Sequence, residues 1–330
     1  MTIMNGCMPD DKPLISILMA VYEPNLDWLR EQLLSLDAQT YPNLRLLIRD
    51  DCSPTIPFEA IRSCVQECIH SIPYIIRQNK KNLGSNLTFE QLTGEAEGDY
   101  FAYCDQDDIW FPYKLDILQE IAERGDFLLV CSDMQIINGR GQITANSITK
   151  IRRHHYFRSG KGLAENLLCR NFVTGCTMLI RAEQAKAAIP FCPYMVHDHY
   201  LALWCAEKGE ILSVREPLIQ YRIHGGNQTE LLAGVRDKQS YGKFRIDTVC
   251  LRLQWLKTHF VCGEELHRAI NDTFLWAEAR SKNWRRCGGK RIVWKYRRFN
   301  PLVSIFELCT VYLPEPVFRL LIFCGQRNWI

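Results

Sequence analysis

The sequence predicts an α/β fold built on a mostly parallel central sheet with helices on both faces, followed by a C-terminal helical extension. Three observations predict it. Short apolar runs rich in β-formers alternate with segments of helical spacing from residue 14 onward, acidic turns follow two of those runs, and beyond about residue 235 the pattern becomes helical, basic and aromatic. The run Leu14–Val21 reads as a strand that breaks at Glu23-Pro24, and Leu29, Leu33 and Leu36 mark a helix over Leu26–Gln39 that stops at Tyr41-Pro42. A second strand, Leu44–Arg49, runs into Asp50-Asp51-Cys52-Ser53-Pro54. A helix over Glu59–Ser71, a strand at Tyr74–Arg77 and a helix over Asn86–Gly94 continue the alternation, and the strand Tyr100–Cys104 delivers Asp105-Gln106-Asp107-Asp108. Ligands of such sheets gather beyond the carboxyl ends of the strands, so the two acidic turns can line one crevice. Further on, a helix from Lys114 to about Arg124 and a strand at Phe127–Cys131 are expected, and residues 138–162 read as a long surface excursion. Phe172–Arg181 regains strand character, His197-Asp198 opens a helix to Lys208, and Leu212–Tyr221 leads into Arg222-Ile223-His224-Gly225-Gly226-Asn227.

A formal net charge of +3 hides a split, because residues 231–330 contribute 18 Lys/Arg against 8 Asp/Glu and the first 230 residues are net acidic. The split divides the chain into a domain at 1–230 and a basic, aromatic-rich extension at 231–330. Residues 280–298 hold nine Lys/Arg and no acid, interleaved with Trp284, Trp294 and Tyr296. That mixture suits an anionic membrane surface, although a solvated helical face has the same composition. Leu302–Leu313 is too short to span a bilayer, so attachment would be peripheral. No nucleic-acid module accompanies the charge, and nucleic acid is not an expected partner. The 15 cysteines carry no CxxC spacing and read as small buried hydrophobes in a reducing compartment. Met1–Pro13 lacks the basic start and apolar run of a signal peptide, so the expected location is cytoplasmic, peripheral on the inner face of the bacterial plasma membrane.

A carboxylate cluster at a strand end needs a reason, since like charges raise one another's pKa and repel. A divalent cation is one answer, with Asp105 or Asp107 bridged through it to a diphosphate; capping of the helix near Pro112 by Asp107 or Asp108 is the other. The segments Ile15–Tyr22, Arg49-Asp50-Asp51-Cys52-Ser53, Asn82-Leu83-Gly84-Ser85-Asn86 and Cys104-Asp105-Gln106-Asp107-Asp108-Ile109-Trp110 together resemble the family 2 inverting glycosyltransferases of GT-A (Rossmann-like) fold. His197–Leu203 and Tyr221–Gln228 resemble the bacterial rhamnosyltransferase-like branch, and the likeness covers about residues 13–230.

The resemblance implies a nucleotide-diphosphate sugar donor and Mg²⁺ or Mn²⁺. It places Tyr22 and Glu23 against the nucleotide base, and Asp50 or Asp51 on the base N3–H. Asn82, Gly84 and Asn86 would shape a loop near ribose and sugar; Asp105 would meet ribose or metal. Asp107 would be the main protein ligand of the ion, with Asp108 behind it or acting as a cap. Gly175-Cys176 would lie near the acceptor. An inverting transfer also needs one base, and Asp198 is the candidate, while its position equally suits the N-cap of the following helix. The flanking His197 and His199 splay apart and lack a third ligand for zinc. His224 could reach the metal, and Arg222 could neutralise the departing diphosphate. The expected acceptor is a hydroxyl of a surface polysaccharide or of a glycan carried on a polyprenyl lipid, and rhamnosyl is the leading donor sugar. The rivals are metal-dependent nucleotidyl transfer, which usually wants a Gly-rich phosphate loop that Tyr22-Glu23-Pro24 does not supply, and a silent membrane-docked nucleotide-sugar-binding protein.

Overall fold

A computed structural model describes residues 12–152, 155–224 and 234–326. The leader reading of Met1–Asp11, the domain boundary at 230 and the Gly225–Gln228 part of the late motif lie outside the described residues. The chain forms two compact units. One holds the chain up to Leu163 together with Asn171–Phe191 and Val196–His224; the other holds Ala164–Arg170, Cys192–Met195 and the described residues after 224.

The first unit is a mixed α/β layer. Strands β1 (Ile15–Val21), β2 (Leu44–Asp50), β3 (Tyr74–Gln78) and β4 (Tyr100–Cys104) alternate with helices α1 (Leu26–Asp37), α2 (Phe58–Cys68) and α3 (Ser85–Glu95). After them come β5 (Ile109–Trp110), α4 (Lys114–Gly125), β6 (Leu129–Ile137) and β7 (Ile143–Ala145). The four-residue α5 (Ala164–Leu167) belongs to the second unit, and β8 (Met178–Arg181), α6 (Ala182–Ala187), α7 (His197–Lys208) and β9 (Ile211–Arg222) complete the first.

Among the described residues the sheet runs β3-β2-β1-β4-β8-β6-β9-β5, with β7 on β6. The block β3-β2-β1-β4 is parallel, as is β6 with β9, while β8 runs antiparallel between β4 and β6. Strands covered on both faces read as unbroken apolar runs, which is why β1 and β4 are so plain in sequence; every residue of β4 is buried. On α1, Leu29, Leu33 and Leu36 lie fully buried against this sheet, and Asn25 caps the helix by accepting the N–H groups of Asp27 and Trp28.

Three segments differ from expectation. Strand β6 extends to Ile137 because β9 pairs with it through Arg222; the apolar run breaks at Ser132-Asp133, whose polar side chains are buried, with the Asp133 carboxylate accepting the N–H of Met134 and of Ile148. Residues 138–162 are not all excursion, since β7 pairs with β6 and Ile148 is buried. Of Phe172–Arg181 only Met178–Arg181 is strand. Phe172, Val173 and Cys176 are buried in the irregular segment and 3₁₀ turn before it, so their hydrophobicity marks burial and not pleating.

The second unit is helical: α8 (Lys238–Tyr241), a π-helical segment at Gly242–Asp247, α9 (Thr248–His259), α10 (Glu264–Trp284), α11 (Lys290–Lys295), α12 (Pro301–Thr310) and α13 (Glu315–Gln326). Val235, Tyr241, Ile246, Phe318 and Ile322 form a small core with Trp284 and Phe306 packed against it. A buried ion pair, Arg280 with Glu307, ties α10 to α12, and the Trp276 indole donates to Ser304 Oγ at 3.0 Å. Among the described residues no helix is long and apolar enough to cross a membrane.

Candidate active site

The parallel strands place several predicted residues at one edge of the first unit. Register pairs Val21 with Asp50, so the end of β1 delivers Tyr22 and Glu23 beside the end of β2. Tyr22 is exposed, offering its ring to a flat ligand. The Glu23 carboxylate instead accepts from the Thr55 N–H and hydroxyl and the Ile56 N–H, which holds it below the usual carboxylate range; it braces the loop after β2.

Asp50 and Asp51 are both buried, and both carboxylates are occupied. Asp50 accepts from the Ser53 hydroxyl and from Gln78 Nε2 at 2.8 Å. Asp51 accepts from Asn79 Nδ2, Leu83 N and Gly84 N, each at 2.8 Å. These bonds shape the 82–86 loop from below, leaving Asn82 at the surface and Gly84 at φ +81° with open space where a side chain would be. Asn86 lies in the first turn of α3. A base-reading role for Asp50 or Asp51 must therefore compete with donors that already satisfy them.

Strand β4 ends at Cys104, and the loop to β5 carries the acidic cluster. Gln106 binds both backbone groups of Tyr22, accepting its N–H at 2.8 Å and donating to its carbonyl at 3.0 Å, which fixes this loop to the end of β1. Asp107 Oδ2 lies 2.7 Å from His224 Nε2, and the His224 ring packs on Trp28 with centroids 4.7 Å apart. Asp108 is fully buried, and its Oδ1 accepts the Arg222 N–H at 2.9 Å. Neither Asp107 nor Asp108 caps α4, whose N-terminus has no side-chain cap; the capping alternative fails because Asp108 is spent on β9.

Arg222 departs from its expected role. Its side chain is 1% exposed, and its guanidinium is held by the Glu31 carboxylate and by the carbonyls of Asp107 and Asn138. A guanidinium buried and occupied in this way positions the acidic loop and does not face a departing diphosphate.

Burial decides the protonation of the cluster. Desolvation, then the charges of Asp107 and Asp198, push Asp105 up to about 7. Desolvation also drives Asp108 well above the carboxylate range and Cys176 well above the thiol range. Ligand atoms of Asp105, Asp108 and Cys176 lie within 4.8 Å of one another, and Asp108 Oδ2 is buried without a hydrogen-bond partner. Beneath them Lys114 is fully buried, its Nζ donating to the Cys176 carbonyl at 2.6 Å and sitting 3.0 Å from the Trp110 ring centroid; desolvation lowers it to about 7. Asp107 Oδ2 and His224 Nε2 form a separate oxygen–nitrogen pair, and with the Asp105 carboxylate these are donor types that a divalent cation accepts. Asp105, Asp108 and Cys176 are the residues whose ligand atoms converge among those described, and burial favours the protonated form of each.

Asp198 lies in the first turn of α7, one residue past the helix start, and Val196 occupies the N-cap. Its carboxylate accepts from Gly175 N and Asn171 Nδ2, each at 3.0 Å. Desolvation raises it to about 6 against those bonds. His197 packs on Phe89 and Tyr103 and is driven to about 3 by burial, so it is a neutral packing residue. A side chain at Gly175 would come within 2.7 Å of His197 Nε2, which explains a glycine there. Gln106, Trp28, Glu31, Lys114 and Asn171 carry much of this geometry; Gln106 stands inside the acidic motif, which flags it by position, and the other four belong to no motif.

Comparisons with known proteins follow the same lines. The family model described as Glycosyl transferase family 2 matches residues 16–183. An uncharacterised glycosyltransferase of Nostoc sp. is 26% identical over 237 residues, covering 68% of this chain and 69% of the relative. Another, from Methanocaldococcus jannaschii, is 23% identical over 242 residues, covering 72% and 80%. Among solved structures, Staphylococcus aureus TarS 1-349 in complex with UDP-GlcNAc is similar at TM-score 0.58 and 13% identity, over 90% of each chain. The mannosyltransferase PcManGT of Pyrobaculum calidifontis, in complex with GDP-Man and Mn²⁺, is similar at TM-score 0.55 and 12% identity, over 97% of this chain and 84% of that one. A longer TarS chain is covered over only 43% of its length.

Proposed function

The chain belongs to glycosyl transferase family 2 and has the GT-A fold, and on that premise we propose that it transfers a hexosyl unit, rhamnosyl in the first instance, from a nucleoside-diphosphate sugar. The acceptor in this reading is a hydroxyl of a surface polysaccharide or lipid-linked glycan. The observation that carries it is the buried Asp198 carboxylate at the start of α7, held by Gly175 N and Asn171 Nδ2 at 3.0 Å each. An inverting displacement needs a carboxylate that accepts the acceptor hydroxyl proton near neutral pH, and a group at about 6 is ionised there while still basic enough to help.

Asp107, Asp105 and His224 would hold Mg²⁺ or Mn²⁺, which when bound offsets the charge developing on the diphosphate. Tyr22 offers its exposed ring to the base. Asp51 acts through the backbone of Leu83-Gly84 to set the Asn82–Asn86 loop, and Glu23 does the same for the loop after β2. Arg222 is a positioning residue that fixes Asp107-Asp108 from behind. Residues 1–230 form the catalytic domain, and 231–330 an extension that meets an anionic membrane surface with its cations and exposed Trp294, Leu302 and Leu320. The occurrence of UDP-GlcNAc in TarS and of GDP-Man with Mn²⁺ in PcManGT supports the donor class and leaves nucleotide and sugar to experiment.

A panel of nucleotide-sugars with Mn²⁺ or Mg²⁺ tests the reading. Slow release of nucleoside diphosphate from one donor, dTDP-rhamnose first, is expected. Pyrophosphate release from a nucleoside triphosphate and a sugar phosphate would point to nucleotidyl transfer instead. Absence of both donor binding and release across the panel refutes the proposal.

A further inference from the structure

The second unit contains a cavity of about 460 Å³ lined by Asn283 of α10, Arg286, Gly288, the start of α11 at Lys290 and Arg291, and Tyr312. No carboxylate lines it. Asn283 is 2% exposed, and its Nδ2 is buried without a hydrogen-bond partner. A buried amide donor left unpaired is unfavourable, so one at the wall of a basic cavity points to an acceptor brought from outside the protein.

The surrounding groups agree on the charge of that acceptor. Among the described residues no carboxylate pairs with Arg286, Lys290 or Arg291. Lys290 and Arg286 are instead held over the face of Tyr312, at 4.3 and 5.5 Å from its centroid, and Arg286 donates to the Val311 carbonyl at 3.2 Å. The turn is pinned, because a side chain on Gly289 would come within 2.3 Å of the Ala279 carbonyl oxygen, whereas one on Gly288 would meet open space. Ile292 and Tyr312, both exposed, add apolar surface to the same lining.

We infer that this cavity is a binding site for the phosphate of an anionic lipid headgroup, with Arg286, Lys290 and Arg291 neutralising it and the buried Asn283 amide turning to donate Nδ2 to a phosphate oxygen. The inference rests on the reading of the extension as membrane-facing and gives that contact a defined site. The apolar flank favours a lipid over a free anion.

The full chain is tested by sedimentation with phosphatidylcholine vesicles, plain or doped with phosphatidic acid, and by calorimetric titration with inorganic pyrophosphate in the presence of a chelator. Two charge-matched variants are compared, Lys290→Gln with Arg291→Gln in the cavity and Lys295→Gln with Arg297→Gln outside its lining, alongside the charge-neutral Asn283→Leu. The expected result is binding to doped vesicles only, weakened ~10-fold more by the cavity pair than by the matched pair, and ~10-fold by Asn283→Leu with no change in net charge. The cavity pair alters exposed side chains, so it remains informative if Asn283→Leu does not fold. Equal losses from the two pairs would overturn the site and leave general membrane attraction standing. Pyrophosphate binding that the cavity pair abolishes, without vesicle binding by the wild type, would overturn both the lipid assignment and the membrane reading. No binding of either probe would end both.

Discussion

Replacing Asp198 by Asn separates a base from a structural tie, because the two roles predict opposite changes in stability. The folded-state pKa of Asp198 is raised from 3.8 to about 6, so folding favours the protonated form. Its contribution is therefore most favourable below pH 3.8 and is lost as pH rises through about 6, amounting to about 3 kcal/mol above that range. Asn keeps an acceptor for Gly175 N and carries no charge but sets its amino group against Asn171 Nδ2, so Asp198→Asn is expected to be more stable than wild type by ~1.5 kcal/mol at pH 8, with the gain vanishing below about pH 5. Transfer should fall by ~10²–10⁴-fold, because no other carboxylate is held by Gly175 and Asn171. Asn171→Ala supplies the graded test. It removes one hydrogen bond to the carboxylate, worth ~1.5 kcal/mol, and should move the acid limb of the kcat/KM profile up by about one pH unit from its wild-type position near 6. Thermal melts from pH 4 to 8 with donor-turnover profiles over the same range provide the readouts. A variant that is less stable than wild type and retains turnover within tenfold would show that Asp198 only ties α7 to the Gly175 turn.

Three further outcomes follow. Asp107→Ala should abolish Mn²⁺-dependent donor binding, and His224→Ala should weaken it ~10-fold or more, measured by metal titration with nucleoside diphosphate present; unchanged metal affinity in both would remove this pair from the ion site. Arg222→Gln should cost about 2–4 kcal/mol in denaturant unfolding, since it strips partners from buried groups. If it instead raises donor KM with unchanged stability, the residue faces the diphosphate after all. Gly175→Ala forces His197 aside and should lose ~1–3 kcal/mol with a fall in kcat, whereas a neutral result would mean that the turn yields without disturbing Asp198.

The legible part of the fold was the part whose signal is local. Strands β1 and β4 are nearly continuous apolar runs, β2 keeps Leu46-Leu47-Ile48 between Arg45 and Arg49, and α1 carries Leu29, Leu33 and Leu36 on one face, so each could be read without knowing its neighbours. Two-residue β5 exists only because β9 pairs with it, and the far half of β6 because β9 and β7 do, while nothing inside Ser132-Asp133 announces a strand. The same distinction governs the site. Strand-end carboxylates stood out by position, but what each carboxylate touches depends on partners remote in sequence: Asp51 on Asn79 and the Leu83-Gly84 backbone, and Arg222 on Glu31, 191 residues away. An arginine beside a histidine in a late motif reads as a phosphate ligand until its partner is known.

The buried Lys114 bears on how such a site comes into being. Proteins that gather acidic side chains around an ion often cannot fold until the ion arrives, since nothing else pays for the repulsion. Here burial itself removes much of the repulsion, since it pushes Asp105 up to about 7 and drives Asp108 and Cys176 well above their ordinary ranges, with the Lys114 amine, lowered to about 7, beneath them. The scaffold thus limits its own charge. On the proposed reading the order of assembly is then free: the polypeptide would mature first and take up metal with a donor afterwards, so that a chelator would stop turnover without unfolding the chain.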